Sequence, residues 1–134
     1  MITLTKDMET GIAKVDEQHK ELVRQLNAVL AMGTSSVSKE ETQKTIDFLG
    51  AYVVQHFKDE EGLQKQSGFE KYEWHKGQHQ TFMNEFQKLR AEFVANGPSA
   101  QFTVKLNSSI INWIVKHIKS ADVEFGKYYQ EKHR

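Results

Sequence analysis

Apolar side chains recur along this chain every three or four residues over four long stretches. Val15, Leu22, Leu26, Val29 and Leu30 keep helical spacing in the first, from about Val15 to Met32. The second starts at Ser38, with Glu41 three residues on as in a capping box, and continues through Ile46, Phe48, Leu49, Tyr52, Val53 and Phe57 to about Gln64. The third runs from about Glu70 to Ala95, with Phe82, Phe86, Leu89 and Phe93 on one stripe. The fourth runs from about Ser99 to Lys119 and carries Phe102, Leu106, Ile110, Trp113, Ile114 and Ile118. A short helical tail follows, from about Asp122 to Gln130.

Turn-forming residues separate the stretches: "MGTSSVS" at Met32–Ser38, "KQSGF" at Lys65–Phe69 and "NGPS" at Asn96–Ser99, which holds the single proline. No run alternates apolar and polar residues as a strand would, and no repeat or low-complexity segment appears. Four helices with short connections predict an all-α, up-down-up-down antiparallel four-helix bundle. One domain is expected over residues 1–134: an arm at about 1–14, the bundle at about 15–119, and a tail at about 120–134 with the short C-terminal helix. The arm has no clear periodicity and is expected to pack along the bundle.

Composition narrows the chemistry. A chain of 134 residues buries a core without covalent staples. Its 18 basic and 18 acidic side chains cancel and are interspersed, so nothing draws it to nucleic acid or an anionic membrane. With no cysteine, disulfides, thiolate zinc sites and iron–sulfur clusters are excluded, and any metal must be held by nitrogen and oxygen. The first residues lack a signal-peptide h-region, and no stretch approaches a membrane span, so a soluble, cytoplasmic protein is expected.

The histidines change the picture. In "WHKGQH", His75 and His79 lie four residues apart, about 40° round a helix and on one face. "HFKDE" gives His56 and Glu60 the same spacing in the second stretch. His19 lies in "DEQHKEL" and His117 in "HIKSAD", with Asp122 five residues later. Only His133, next to the C-terminus, falls outside this set, and it reads as solvated tail.

Each pair alone has an ordinary explanation, since a helical His–x3–His pair is more often a surface pair, and a lone His19 a satisfied core residue. Together they sit among bulky apolar neighbours: Leu22, Val53, Phe57, Phe82, Trp113 and Ile114. Burying five imidazoles and two carboxylates is costly unless something pairs with them, and a metal cluster is an economical partner. Asp122 resists the simple picture, because five residues rotate about 140° round an α-helix. Either the fourth helix bends or ends near Ser120, or Asp122 reaches round from the next turn, or it caps the tail helix.

This ordered set, with the opening "GIAKVDEQHKEL", resembles the hemerythrin family in its single-domain bacterial form, from about Gly11 to Tyr129. The resemblance implies two iron ions. His75, His79 and His117 would bind one, His19 and His56 the other, and Glu60 and Asp122 would bridge them. With an oxo or hydroxo bridge, one coordination position stays open, on the iron with two histidines, and O2 would bind there reversibly. Leu22, Phe57, Phe82, Trp113, Ile114 and Ile118 fall where the family builds its O2 pocket. The implied function is a non-enzymatic O2 carrier, store or donor to an O2-using enzyme.

The chain departs from the family in its arm, where Ile2 and Leu4 stand in place of a frequent tryptophan, and at Phe69 and Glu70. Gly62 follows the Glu60–Glu61 pair, and glycine's helix penalty of roughly 1 kcal/mol predicts an early end to the second helix.

Rival readings keep the same ligands. A di-iron enzyme reducing nitric oxide or peroxide would add an electron donor, and an O2 or redox sensor would need an output domain. A structural zinc needs only four ligands, and the His-Glu-x-x-His motif is absent because Lys76 follows His75. The nitrogen-rich set also differs from the two Glu–x2–His motifs of ferritin-like O2-activating sites.

Overall fold

The computed structural model describes residues 2–33 and 38–133. Helix α1 spans Ala13–Met32, α2 Lys39–Ser67 and α3 Tyr72–Asn96. The chain is then helical without a break over residues 100–132: α4 (Ala100–Lys105), a π turn (Leu106–Ile111), α5 (Asn112–His117), a second π turn (Ile118–Asp122) and α6 (Val123–Lys132). No strand occurs among the described residues, and none of their helices is long and apolar enough to cross a membrane. Residues 34–37, most of the first expected break, lie outside the described residues.

Cross-helix pairs give the antiparallel register. Between α2 and α3, Glu61 meets His79, Phe57 meets Phe82, and Asp47 meets Arg90. As one number rises the other falls. His79 with His117 and Phe93 with Phe102 do the same for α3 and the fourth rod. His19 with His56, and Gln18 with Asp59, join α1 to α2.

The helix ends follow local chemistry. The Ser38 hydroxyl accepts the Glu41 N–H at 3.1 Å, the expected N-cap of α2. The helix runs past Gly62 and does not end early, because Gly62 faces open space while Leu63 packs against an apolar cluster. It stops at Gly68, whose left-handed φ of 73° turns its N–H to Gln64 and Lys65. Phe48, expected on the apolar stripe, is 62% exposed, since Ile46, Leu49, Val53 and Phe57 already define the inward face.

The core divides in two. A large cluster fills most of the bundle, with Leu22 and Leu26 from α1, Val53 and Phe57 from α2, Phe82 and Phe86 from α3, and Ile114 and Ile118 from the fourth rod. A small cluster of Ile12, Val15, Phe69 and Phe125 closes the other end. The metal-capable residues gather where the two meet: His19 follows Val15 and precedes Leu22, His75 and His79 lie between Phe69 and Phe82, and Asp122 follows Ile118 and precedes Phe125. The polar groups therefore form one layer with an apolar plug on each side.

The arm packs on the bundle, as expected. Ile2 exchanges two hydrogen bonds of 2.9 Å with the Asn27 side chain, and a 3-10 turn at Lys6–Met8 buries Met8. Farther on, Thr10 meets α6 at Gly126, where a Cβ would overlap the Thr10 carbonyl oxygen and stand 2.8 Å from its Cα. Gly126→Ala is therefore expected to destabilise the fold by about 1–3 kcal/mol through overpacking. Equilibrium denaturant unfolding checks it, and an unchanged midpoint would contradict this contact.

Candidate metal centre

All seven expected residues reach the polar layer, and each is at most 4% exposed. Four come from α3 and the fourth rod together: His75, His79, His117 and Asp122. His75 and His79, one turn apart on α3, have ring centroids 4.7 Å from each other, and His117 stands 4.7 Å from His75. Across α2, Glu60 Oε1 lies 3.1 Å from Nε2 of both His75 and His79. His19 and His56 face each other from α1 and α2 at 4.9 Å.

Asp122 reaches this layer because of the second π turn. Its hydrogen bonds run one residue further than in an α-helix, so the Val123 N–H reaches back five positions to the Ile118 carbonyl. The wider turn brings residues five apart over one another, and Asp122 Oδ1 comes within 3.0 Å of His117 Nε2. The rod neither bends away nor ends at Ser120, and Asp122 makes no side-chain cap.

Two sets result. One is Glu60, His75, His79, His117 and Asp122, and the other is His19, His56 and Asp122. Asp122 belongs to both, with Oδ1 at 3.0 Å from His75 and His117 and Oδ2 at 2.9 Å from His19. These separations match the edge between neighbouring donors round an ion held at about 2.1 Å.

Their orientation also fits a metal. His19 Nε2, His79 Nε2, His117 Nε2, Glu60 Oε2 and Asp122 Oδ1 are buried without a hydrogen-bond partner. Several stand near a group of opposite polarity but do not align with it, as lone pairs aimed at a common point would not.

Charge follows from the crowding. Burial alone raises the Asp122 carboxyl, but His117, His19 and His75 hold it well below its ordinary value. Glu60 is likewise lowered: burial and Asp122 push it up, and His75 and His79 outweigh them. Burial works against a charged His75, yet Asp122 and Glu60 raise it to about 9. For His56 burial dominates and pushes it down to about 4. The carboxylates thus favour a proton on His75, which an arriving cation must displace.

Outer partners orient the rings. The Gln18 Oε1 accepts from His56 Nδ1 at 2.8 Å, and Gln18 Nε2 donates to Asp59 Oδ2 at 2.8 Å. Glu61 Oε2 accepts from His79 Nδ1 at 2.8 Å. These hydrogen bonds turn both Nε2 atoms inward. The Phe57 ring stacks on His79 at 3.7 Å, and Trp113 stacks on His117 at 4.4 Å. Phe82 touches both aromatic rings. The aromatic part of the expected pocket therefore covers the three-histidine set. Leu22, Ile114 and Ile118 are fully packed in the large core cluster, whereas Trp113 is half-buried.

Sequence reasoning missed Gln18, Asp59 and Glu61. Gln18 and Glu61 adjoin expected ligands in the chain, which is the only signal they give. Their partners lie on another helix, 38 and 18 residues away.

Bundle and layer together define a class: an all-helical protein with a buried histidine–carboxylate centre built to take cations. A model of the hemerythrin HHE cation-binding domain matches residues 10–128, and the chain belongs to the hemerythrin family. It is 30% identical to a bacteriohemerythrin of Methylococcus capsulatus over 120 residues, 87% of each chain. A bacteriohemerythrin of Stenotrophomonas maltophilia is 27% identical over 90% of this chain and 76% of its own. A crystal structure of wild-type hemerythrin superposes with a TM-score of 0.81 at 26% identity, over 95% of this chain and 96% of that one.

The shared protons have a consequence for stability. His75 is raised in the folded state, so its contribution is complete below its ordinary value of 6.5 and is lost as pH rises through about 9. Metal-stripped protein is expected to lose Tm across that window, and Asp122→Asn to flatten the dependence. Thermal melts against pH check it, and a constant Tm in the stripped parent protein would contradict the arrangement.

Proposed function

We propose that this layer holds two iron ions and that the protein binds O2 reversibly. His75, His79 and His117 would hold one ion and His19 and His56 the other; Asp122 is grouped with both sets and Glu60 with the first, and Glu60 would be shared through its second oxygen. The observation that carries the reading is Asp122, whose two oxygens stand 2.9–3.0 Å from imidazoles of both sets. For Glu60, the unpartnered Oε2 beside an Oε1 at 3.1 Å from two imidazoles supports the same role. Nitrogen and carboxylate donors without thiolates suit iron. The relatives' name, bacteriohemerythrin, supports it too.

The three-histidine ion would take three imidazoles and the shared carboxylates, and the two-histidine ion one imidazole fewer, so an open position would fall on the latter. A ferrous pair, when bound, supplies the electrons and the vacant position that O2 requires.

The protein's own residues do the rest. Gln18 and Glu61 fix two ring orientations before any cation arrives. Phe57 and Trp113 cover the three-histidine side, and the two apolar plugs keep bulk water from the layer. Water exclusion limits the protons that would drive irreversible oxidation of a ferrous pair, and so would favour release of O2. Five imidazoles against two carboxylates favour binding over O2 activation.

His117→Ala and His79→Ala are expected to lower iron content sharply with the helical fold retained, measured by metal analysis and far-ultraviolet circular dichroism. Full iron loading in both would refute the ligand assignment. The function is tested optically: the iron-loaded protein is reduced without oxygen, exposed to air, then flushed with argon. A visible charge-transfer band that appears with air and vanishes with argon is expected. Immediate, irreversible oxidation would refute reversible binding and favour a di-iron enzyme acting on nitric oxide or peroxide.

A further inference from the structure

We propose that small ligands reach the two-histidine half through the cleft between the N-terminal arm and α1, and that Met8 controls their passage. This rests on the open position assigned above.

Two surface clefts end on a histidine of the layer. One, of about 250 Å³, reaches His79 beside Phe57 and Glu61. It leads to the half that has no open position. Phe57 is stacked flat on the His79 ring there, and the outer nitrogen of that ring is already engaged by Glu61. The other, of about 260 Å³, lies under the arm and reaches His19, with Leu4, Met8 and Lys20 among its walls. That volume is several times the roughly 30 Å³ that a water molecule occupies. It ends on the half where the coordination count leaves room.

The cleft does not run through to the layer. His19 is 1% exposed and Met8 3% exposed, so side chains close its inner end. Met8 is suited to opening it. Methionine is unbranched, with three rotatable bonds, and moves without disturbing the backbone. Its sulfur accepts a single hydrogen bond, from the Thr5 N–H at 3.5 Å, and thioether sulfur is a weak acceptor. The arm around it is a strap fixed at two points. Ile2 is bonded to Asn27 at one end, and Thr10 and Gly11 are bonded to Asp16 at the other. Between those anchors, Thr5, Met8 and Glu9 hydrogen-bond within the arm. The turn that carries Met8 packs against the π turn that carries Asp122. A swing of the Met8 side chain therefore opens a passage beside the shared carboxylate and leaves both anchors in place.

Azide is the probe, mixed with the iron-loaded, oxidised protein in a stopped-flow spectrometer. Met8→Ala is expected to raise the association rate about tenfold and Met8→Trp to lower it about tenfold, with the equilibrium affinity changing much less. Met83→Trp, at the other cleft, is expected to leave the rate unchanged. Leu4→Trp, at the arm cleft, should slow association and provides a second test if Met8→Ala fails to fold. Unchanged rates in the Met8 and Leu4 variants would overturn the route. So would slowing by Met83→Trp, or changes in affinity as large as those in rate. If the unmodified protein forms no azide adduct, the open position itself is refuted, and with it the proposed O2 site.

Discussion

The structure is organised around the cost of placing five imidazoles and two carboxylates out of reach of water. A buried ionisable group is tolerated only when it is paired and its hydrogen bonds are satisfied. Here the groups partly satisfy one another, with Glu60 and Asp122 held as anions by the histidines round them. Other donor atoms, such as His117 Nε2 and Glu60 Oε2, have no aligned hydrogen-bond partner among the described residues. That mixture of tight charge pairing and unmet lone pairs distinguishes a metal-binding layer from a finished polar network. It also explains the plugs of apolar side chains at both ends, since water entering from either side would weaken every interaction in the layer.

The same constraint accounts for the irregular fourth rod. Wide π turns are rare, and one of the two falls at the residue the layer needs. A regular α-helix through residues 118–122 would rotate Asp122 away from His117. The extra residue in the turn returns it, and the chain continues into α6 without a break. That continuation matters for the arm. Gly126 on α6 lets the Thr10 backbone approach closely, and Gln130 donates to the Thr10 carbonyl oxygen at 2.8 Å. The turn that aims a carboxylate inward thus also sets where the arm crosses the bundle.

The two halves of the layer are not equivalent. His79 leans on a carboxylate and an aromatic ring, and His117 on another aromatic ring. His56 leans on a neutral amide, itself held by Asp59. A carboxylate acceptor makes an imidazole a stronger donor than an amide does. The three-histidine half is thus the more firmly held and more closely covered, and the two-histidine half faces the cleft beneath the arm.

How much of this was legible in the chain follows from distance along it. The helices could be read because helical periodicity is a local property: Val15 to Val29 and Phe82 to Phe93 share their faces whatever they pack against. The histidines of the layer could be read from spacing and the resemblance, since His75 with His79 and His56 with Glu60 each lie one turn apart. Gly62 misled, because helix propensity is a weak preference that Leu63, packing on the next cluster, overrides. Asp122 could be named but not placed, because a π turn forms only when the surrounding layer rewards it. Gln18 and Glu61 act through partners on other helices, and no local pattern marks such contacts. The sequence by itself determined the four helices and the donor set they carry. Only the tertiary structure decided which donors share Asp122, which rings are braced, and which side the arm leaves approachable, because each depends on the register between helices.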